Sequence, residues 1–262
     1  MTATAATLLL RADAVTVQLG GNAVVQGASL TLRAGELVAL VGPNGAGKTT
    51  LMRALAGLLP ASGTIEINGR PIEALKPLER ARAIAYLPQG HVFHWPMNVA
   101  AVVALGRHPH ADPFSRTAPT DREAVSRALK ATATEAFAGR AVTTLSGGER
   151  ARVALARALA TEAPMLFADE PTASLDPRHQ LVVMDLLRRS TRAGGAVLAI
   201  LHDLTLAARF ADRVLVMDGG RIVADGSPAN ALSPAQIAKV FGVDAISLDT
   251  GEGMVPIARH PL

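Results

Sequence analysis

The sequence predicts an α/β fold: a parallel sheet covered by helices on both faces, with a small antiparallel β region before it and a helical insertion within it. Three observations carry this. Continuous apolar runs at 37–41, 165–168, 196–201 and 213–217 suit strands buried on both faces. Helical patterns at 48–57, 177–192 and 204–210 alternate with those runs, as a two-sided α/β layer requires. Between about 90 and 164 the pattern turns helical (99–105, 121–130, 148–159), with a Pro/His-rich loop and no evident strand.

The remaining elements follow from local signals. Residues 14–18 and 28–32 read as short strands, with Gly20-Gly21-Asn22 turn chemistry between them. Residues 64–68 and 83–87 read as two more. The tail from 227 holds one helix near 234–241 and then an irregular end. The expected division is one domain over 1–232, with the helical part inserted at about 90–164, and a short extension over 233–262.

Composition narrows the function. A chain of 262 residues buries a substantial core, and 49% hydrophobic content with a mean hydropathy of +0.27 argues against disorder. The absence of cysteine excludes disulfide scaffolds, Cys-zinc sites and thiol catalysis. The pI near 10.1 partly reflects arginine chosen over lysine, since only four of the 26 basic residues are lysines and the net charge is +4. With aromatics at 3%, base-stacking platforms are not expected, and no nucleic-acid partner is expected. The most apolar stretch, 97–106, is half the ~20 residues a spanning helix needs. The first residues lack a basic region, so a secretory signal is not expected. A cytosolic protein that docks on a membrane fits these features.

Three motifs carry chemistry. Gly42-Pro43-Asn44-Gly45-Ala46-Gly47-Lys48-Thr49, followed by Thr50, matches G-x-x-x-x-G-K-S/T and lies between a buried strand and a helix. Its glycines let backbone N–H groups face phosphate oxygens, and the helix start adds partial positive charge. Lys48 would reach the β- and γ-phosphates, and the Thr49 hydroxyl would ligate Mg²⁺. Next, an apolar strand ends in Asp169-Glu170: Asp169 would hold Mg²⁺ and Glu170 would deprotonate the attacking water. Last, Leu145-Ser146-Gly147-Gly148-Glu149 opens a helix. Ser146 and Glu149 form a capping box, and the Ser146 hydroxyl with the Gly147 and Gly148 amides is also a second phosphate-binding helix start.

With Gln89 in Tyr86-Leu87-Pro88-Gln89, Ser174-Leu175-Asp176 and His202 behind the run 197–201, these motifs occur in an order that resembles the nucleotide-binding subunit of ATP-binding-cassette (ABC) transporters, over about 8–232. The resemblance implies a P-loop NTPase (RecA-like) core with an N-terminal antiparallel β subdomain and an inserted α-helical subdomain. It implies ATP and Mg²⁺ as ligands and a head-to-tail homodimer in which the phosphate loop of one copy and Ser146-Gly147-Gly148 of the other enclose each ATP. By position, Gln89 would contact Mg²⁺ or the lytic water, His202 would hold the γ-phosphate, and Asp176 would couple the two sites. The partners it implies are two transmembrane permease subunits and, indirectly, a periplasmic substrate-binding protein, at the cytoplasmic face of the inner membrane. The family usually stacks an aromatic residue on adenine. The matching stretch, 17–22, has none, Leu19 being nearest, so weak base discrimination is expected.

Within that family, Gly106-Arg107-His108-Pro109-His110 and the stretch 202–212 resemble importers of ferric siderophores, haem and vitamin B12; residues 142–149 and 175–180 look most like haem importers. His91, His94, His108 and His110 lack helical i, i+4 spacing and nearby carboxylates, so they are read as part of a docking surface and not as haem or metal ligands. Trp95 is read as an anchor for the membrane subunit, with a core position as the plain alternative. Soluble relatives in DNA repair or translation carry long coiled coils or two cassettes, which this chain lacks. An iron–sulfur assembly ATPase remains the nearest non-transport reading. A module that binds ATP without turnover is disfavoured by Glu170 and His202.

Overall fold

The computed structural model describes residues 6–90, 93–111, 118–192, 194–251 and 253–262. The chain opens with β1 (Leu8–Leu19) and β2 (Asn22–Arg33), an antiparallel pair turning at Gly20-Gly21. Both are 12 residues long, well beyond the short strands the sequence predicts. The reason is a register shift at Ala14, which has φ 51. It moves the inward set from Leu10 and Ala12 to Val15 and Val17, a break that hides the period of 2.

Next come β3 (Leu37–Val41), α1 (Lys48–Leu55), β4 (Ser62–Ile67) and the two-residue β5 (Arg70–Pro71). The first sheet is antiparallel, in order β2-β1-β4-β5. Helix α2 (Pro77–Ala83) was not legible because it buries none of its residues and so has no apolar stripe. It leads into β6 (Ile84–Leu87).

Three α-helices follow: α3 (Val99–Ala104), α4 (Pro119–Ala131) and α5 (Gly147–Ala160). No strand element lies among the described residues of 90–164. These helices share their own apolar cluster, which includes Val99, Val103, Leu129, Val142, Val153 and Ala156.

The chain then alternates through β7 (Met165–Asp169), α6 (Pro177–Arg192), β8 (Ala196–Ile200), α7 (Leu204–Phe210) and β9 (Arg213–Asp218), and turns back as β10 (Arg221–Gly226). The second sheet has the order β10-β9-β3-β8-β7-β6, parallel except for β10. One face packs Leu40, Phe167 and Leu198 against α1 and the first sheet; the other packs Ala39, Ala168 and Val197 with Leu155 of α5 and Leu187 of α6.

The end of the chain departs from expectation. After α8 (Pro228–Ala231) and α9 (Pro234–Phe241), residues read as irregular form an antiparallel hairpin, β11 (Val243–Asp249) and β12 (Met254–Pro261). Its turn is fixed by Asp249 accepting from the Gly251 N–H and by Thr250 donating to the Gly253 carbonyl. Few of its residues face inward, Ala245 and Val255 among them, so alternation is faint in the sequence. The hairpin lies on α7 and α9.

Candidate active site

All five residues of β3 are buried, and the strand runs directly into the glycine loop. Gly42 has φ 153, and a Cβ there would lie 2.0 Å from the Met217 carbonyl oxygen. Gly47 has φ 95, and a Cβ would lie 2.6 Å from the Val24 carbonyl oxygen. Only glycine lets the loop pass this close to β9 and β2. Gly47 caps α1 without a side-chain hydrogen bond, which leaves the first amides of the helix available to an anion. A cavity of about 210 Å³ lies here, lined by Asn44, Gly45, Ala46, Gly47, Lys48, Thr49, Thr50, Val24 and Glu170.

Lys48 is only 6% exposed. Its ammonium donates to the carbonyls of Gly42 and Pro43, both at 2.8 Å, so the loop itself holds the charge in place. Burial pulls its pKa below the ordinary value, against the opposing pull of Glu170 and Asp169.

Asp169 ends β7 fully buried. Thr49 donates to its Oδ1 at 3.0 Å and Tyr86 donates to its Oδ2 at 3.1 Å, so each oxygen has a partner. Burial raises the carboxyl pKa, and the two hydrogen bonds offset part of that rise. Tyr86 is pushed up to about 12, first by burial and then by the charge of Asp169. The Thr49 hydroxyl and the Asp169 carboxylate form an all-oxygen donor set beside the phosphate loop, the chemistry suited to Mg²⁺. Among the described residues no group of three or more His, Asp or Glu could hold a metal unaided.

Glu170 follows at φ 51, a left-handed backbone that turns its side chain away from the line of β7. Gln89 Nε2 donates to Glu170 Oε2 at 2.7 Å, and His202 Nε2 lies 2.6 Å from Glu170 Oε1. The phosphate loop, Gln89, Asp169-Glu170 and His202 thus collect at the carboxyl ends of β3, β6, β7 and β8, where open parallel sheets place their ligands.

Ser146 caps α5. The Glu149 N–H donates to Ser146 Oγ at 3.3 Å and the Ser146 N–H donates to Glu149 Oε2 at 2.7 Å, the capping box expected from sequence. Gly147 lines a second cavity of about 310 Å³ with Gln89, Arg150, Ser174 and Leu175. Glu170 borders both cavities. Within one chain, then, Ser146, Gly147 and Gly148 do not line the phosphate-loop cavity. Asp176 accepts from the His179 N–H at 2.9 Å and pairs with His179 Nδ1 at 2.7 Å, contacts that hold its carboxyl below the usual range.

Sequence reasoning missed Tyr86 and His179. Tyr86 sits on β6, hydrogen-bonded to β7, and only that pairing brings it to Asp169. The stretch 106–110 also acquires a role that the sequence did not give it. A Cβ on Gly106 would lie 2.1 Å from the Arg157 carbonyl oxygen. Buried Arg107 donates to Asp121, to the Ala160 carbonyl and to Glu162. His110 Nε2 meets the Thr161 carbonyl at 2.9 Å, and Arg82 donates to the Pro109 carbonyl. These residues join α4, the end of α5 and α2. Trp95 is 75% exposed, so the reading of it as core fails. His91 lies outside the described residues.

A glycine loop ahead of a helix, a buried lysine and paired carboxylates at a strand end define a P-loop nucleotide-binding protein. The family described as ABC transporter matches residues 25–173. The chain belongs to the ABC transporter family and is one of its ATP-binding, ATP-hydrolysing chains. It is 47% identical to the hemin import ATP-binding protein HmuV of Streptomyces coelicolor, over 89% of this chain and 83% of that one. It is 46% identical to the HmuV of Nocardia farcinica over 97% and 90%. The cobalamin import ATP-binding protein BtuD of Halobacterium salinarum is 42% identical over 94% and 62%. Among solved structures, cbiO1 of Clostridium perfringens, part of the ABC transporter complex cbiONQ, superposes with a TM-score of 0.77 at 27% identity, covering 89% of this chain and 94% of that one. An ATP-binding cassette of an ABC transporter in its ADP conformation shares the fold, with a TM-score of 0.80 at 24% identity over 90% and 98%. No helix among the described residues is long and apolar enough to cross a membrane.

Proposed function

We propose that this chain is the motor subunit of an importer for haem. Two copies would sit head to tail on the cytoplasmic face of the inner membrane, bound to two permease subunits that a periplasmic binding protein supplies. The cargo reading rests on the haem-import relatives and on the stretches 142–149 and 175–180. Residues 1–232 would form the ATPase domain, with 90–164 inserted, and 233–262 an extension.

In this reading the amides of residues 42–50 and Lys48 bind the β- and γ-phosphates. Thr49 and Asp169 would hold Mg²⁺, with Gln89 as a further contact, and the ion would offset charge on the transferring phosphoryl group. Glu170 accepts the proton of the attacking water, and Gln89 orients that water. His202 donates to a γ-phosphate oxygen. The single observation that carries the catalytic assignment is the Glu170 carboxylate, bracketed by Gln89 and His202 and bordering the phosphate-loop cavity. The position of Ser146-Gly147-Gly148 outside that cavity favours their action on a second copy's nucleotide, with Asp176 coupling the two sites. Exposed Trp95 suits an anchor for a permease segment.

The test is co-purification with the permease, followed by reconstitution with the binding protein and assay of ATPase activity with haem, a ferric siderophore and vitamin B12. Stimulation by haem alone is expected. Stimulation by either of the others instead reassigns the cargo, and failure to bind a permease removes the transport role. A Trp95→Ala chain that still assembles normally removes the anchor.

A further inference from the structure

Asp176 and the Ser146-Gly147-Gly148 helix start lie on different elements, yet one side chain touches both. Asp176 caps α6 in the ordinary way, Oδ1 accepting from the N–H of residue 179 at 2.9 Å. A cap needs one oxygen. The other, Oδ2, is taken by the ring of that same residue, His179, at 2.7 Å from Nδ1. The ring then reaches α5. A Cβ on Gly148 would lie 2.8 Å from His179 Cδ2, 2.9 Å from Cγ and 3.0 Å from Nε2. Gly147, one residue earlier, has open space where its Cβ would be. Glycine weakens a helix interior. At 148 the ring of His179 fills the space a Cβ needs, so the two positions are matched to each other.

We propose that His179 is a positioning residue that clasps the Asp176 turn to the start of α5. The inference rests on the head-to-tail reading above and deepens it: the two segments that one chain presents to a second copy's ATP are tied into a single rigid unit. His179 touches no nucleotide. It fixes the direction of the Asp176 carboxylate and the distance of that carboxylate from the Ser146 helix start, so ATP-driven closure meets both at once and not one after the other.

The test uses the Glu170→Gln chain, which holds ATP, and measures dimer against ATP concentration by light scattering. Adding His179→Ala is expected to raise the half-point about tenfold, the loss of one charge-assisted hydrogen bond. ATP affinity of the monomer, read at dilution with a fluorescent analogue, is expected to stay within twofold. Gly148→Ala, which crowds the ring, should shift the half-point strongly with His179 present and much less with Ala at 179. If the Glu170→Gln chain never dimerises on ATP, the head-to-tail reading fails and takes this proposal with it. If it dimerises and His179→Ala leaves the half-point unchanged, the clasp alone is wrong. A parallel loss of monomer affinity, or equal effects of Gly148→Ala in both backgrounds, also overturns the clasp.

Discussion

The imidazole of His202 and the carboxylate of Glu170 lie 2.6 Å apart, although 32 residues separate them in the chain. The contact joins the ends of β7 and β8, and Gln89 from beyond β6 closes the other side of the same carboxylate. The two contacts fix the orientation of the carboxylate and leave each oxygen a lone pair with which to accept a proton. Glu170→Gln keeps the shape and removes the basicity. Turnover, measured as phosphate release, should fall about 10²- to 10⁴-fold while ATP binding persists. Unchanged turnover would end the assignment.

Tyr86 supplies one of the two donors on buried Asp169. Tyr86→Phe leaves Oδ2 without a partner. Urea unfolding should report a loss of about 1–3 kcal/mol. ATP affinity in the presence of Mg²⁺ should weaken more than in its absence, because the carboxylate loses its orientation.

Arg107 ties α4 to the end of α5 through Asp121 and Glu162, and its side chain and that of Asp121 are each about nine-tenths buried. Arg107→Ala strands the Asp121 charge. The expected destabilisation is about 3–5 kcal/mol in denaturant unfolding. A loss below about 1 kcal/mol, the range of exposed pairs, would mean the network is surface decoration.

Glu149 carries the acid dependence of the α5 start. The Ser146 N–H holds its pKa below the ordinary 4.5. A depressed folded pKa means the stabilisation is present above the unfolded value and is lost as pH falls through the folded one. Melting temperature should therefore drop on acidification through that window, and Glu149→Gln should flatten that part of the profile. An identical profile in the variant would remove Glu149 from the account.

No aromatic residue stands in the stretch 17–22; Val17 is buried and Leu19 is exposed. Stacking on a base is worth about 1–3 kcal/mol where an aromatic supplies it. Without it, kcat/KM for GTP should lie within about tenfold of that for ATP. A far larger preference for ATP would point to base contacts elsewhere.

Much of the site was legible because its parts are contiguous. Lys48, Thr49, Asp169, Glu170 and Ser146 each lie in a short motif whose flanking strand or helix is marked by its own apolar pattern. Tyr86 was not legible because strand adjacency sets its partner, and the approach of the His179 ring to Gly148 was not because it joins two separate elements, which no local window records. The same limit applies to 106–110, where a motif was visible but its task, bracing α4 against α5, was not. The hairpin of β11 and β12 escaped for a different reason: with so few inward residues, its alternation is too weak to read.

That hairpin lies against α7, where Thr205 donates to the Pro256 carbonyl, and α7 begins two residues after His202. Anything attached to β12 therefore bears on α7, and α7 starts at the histidine turn. A tag placed on β12 is therefore expected to change the rate of phosphate release, and rates taken before and after its cleavage check this.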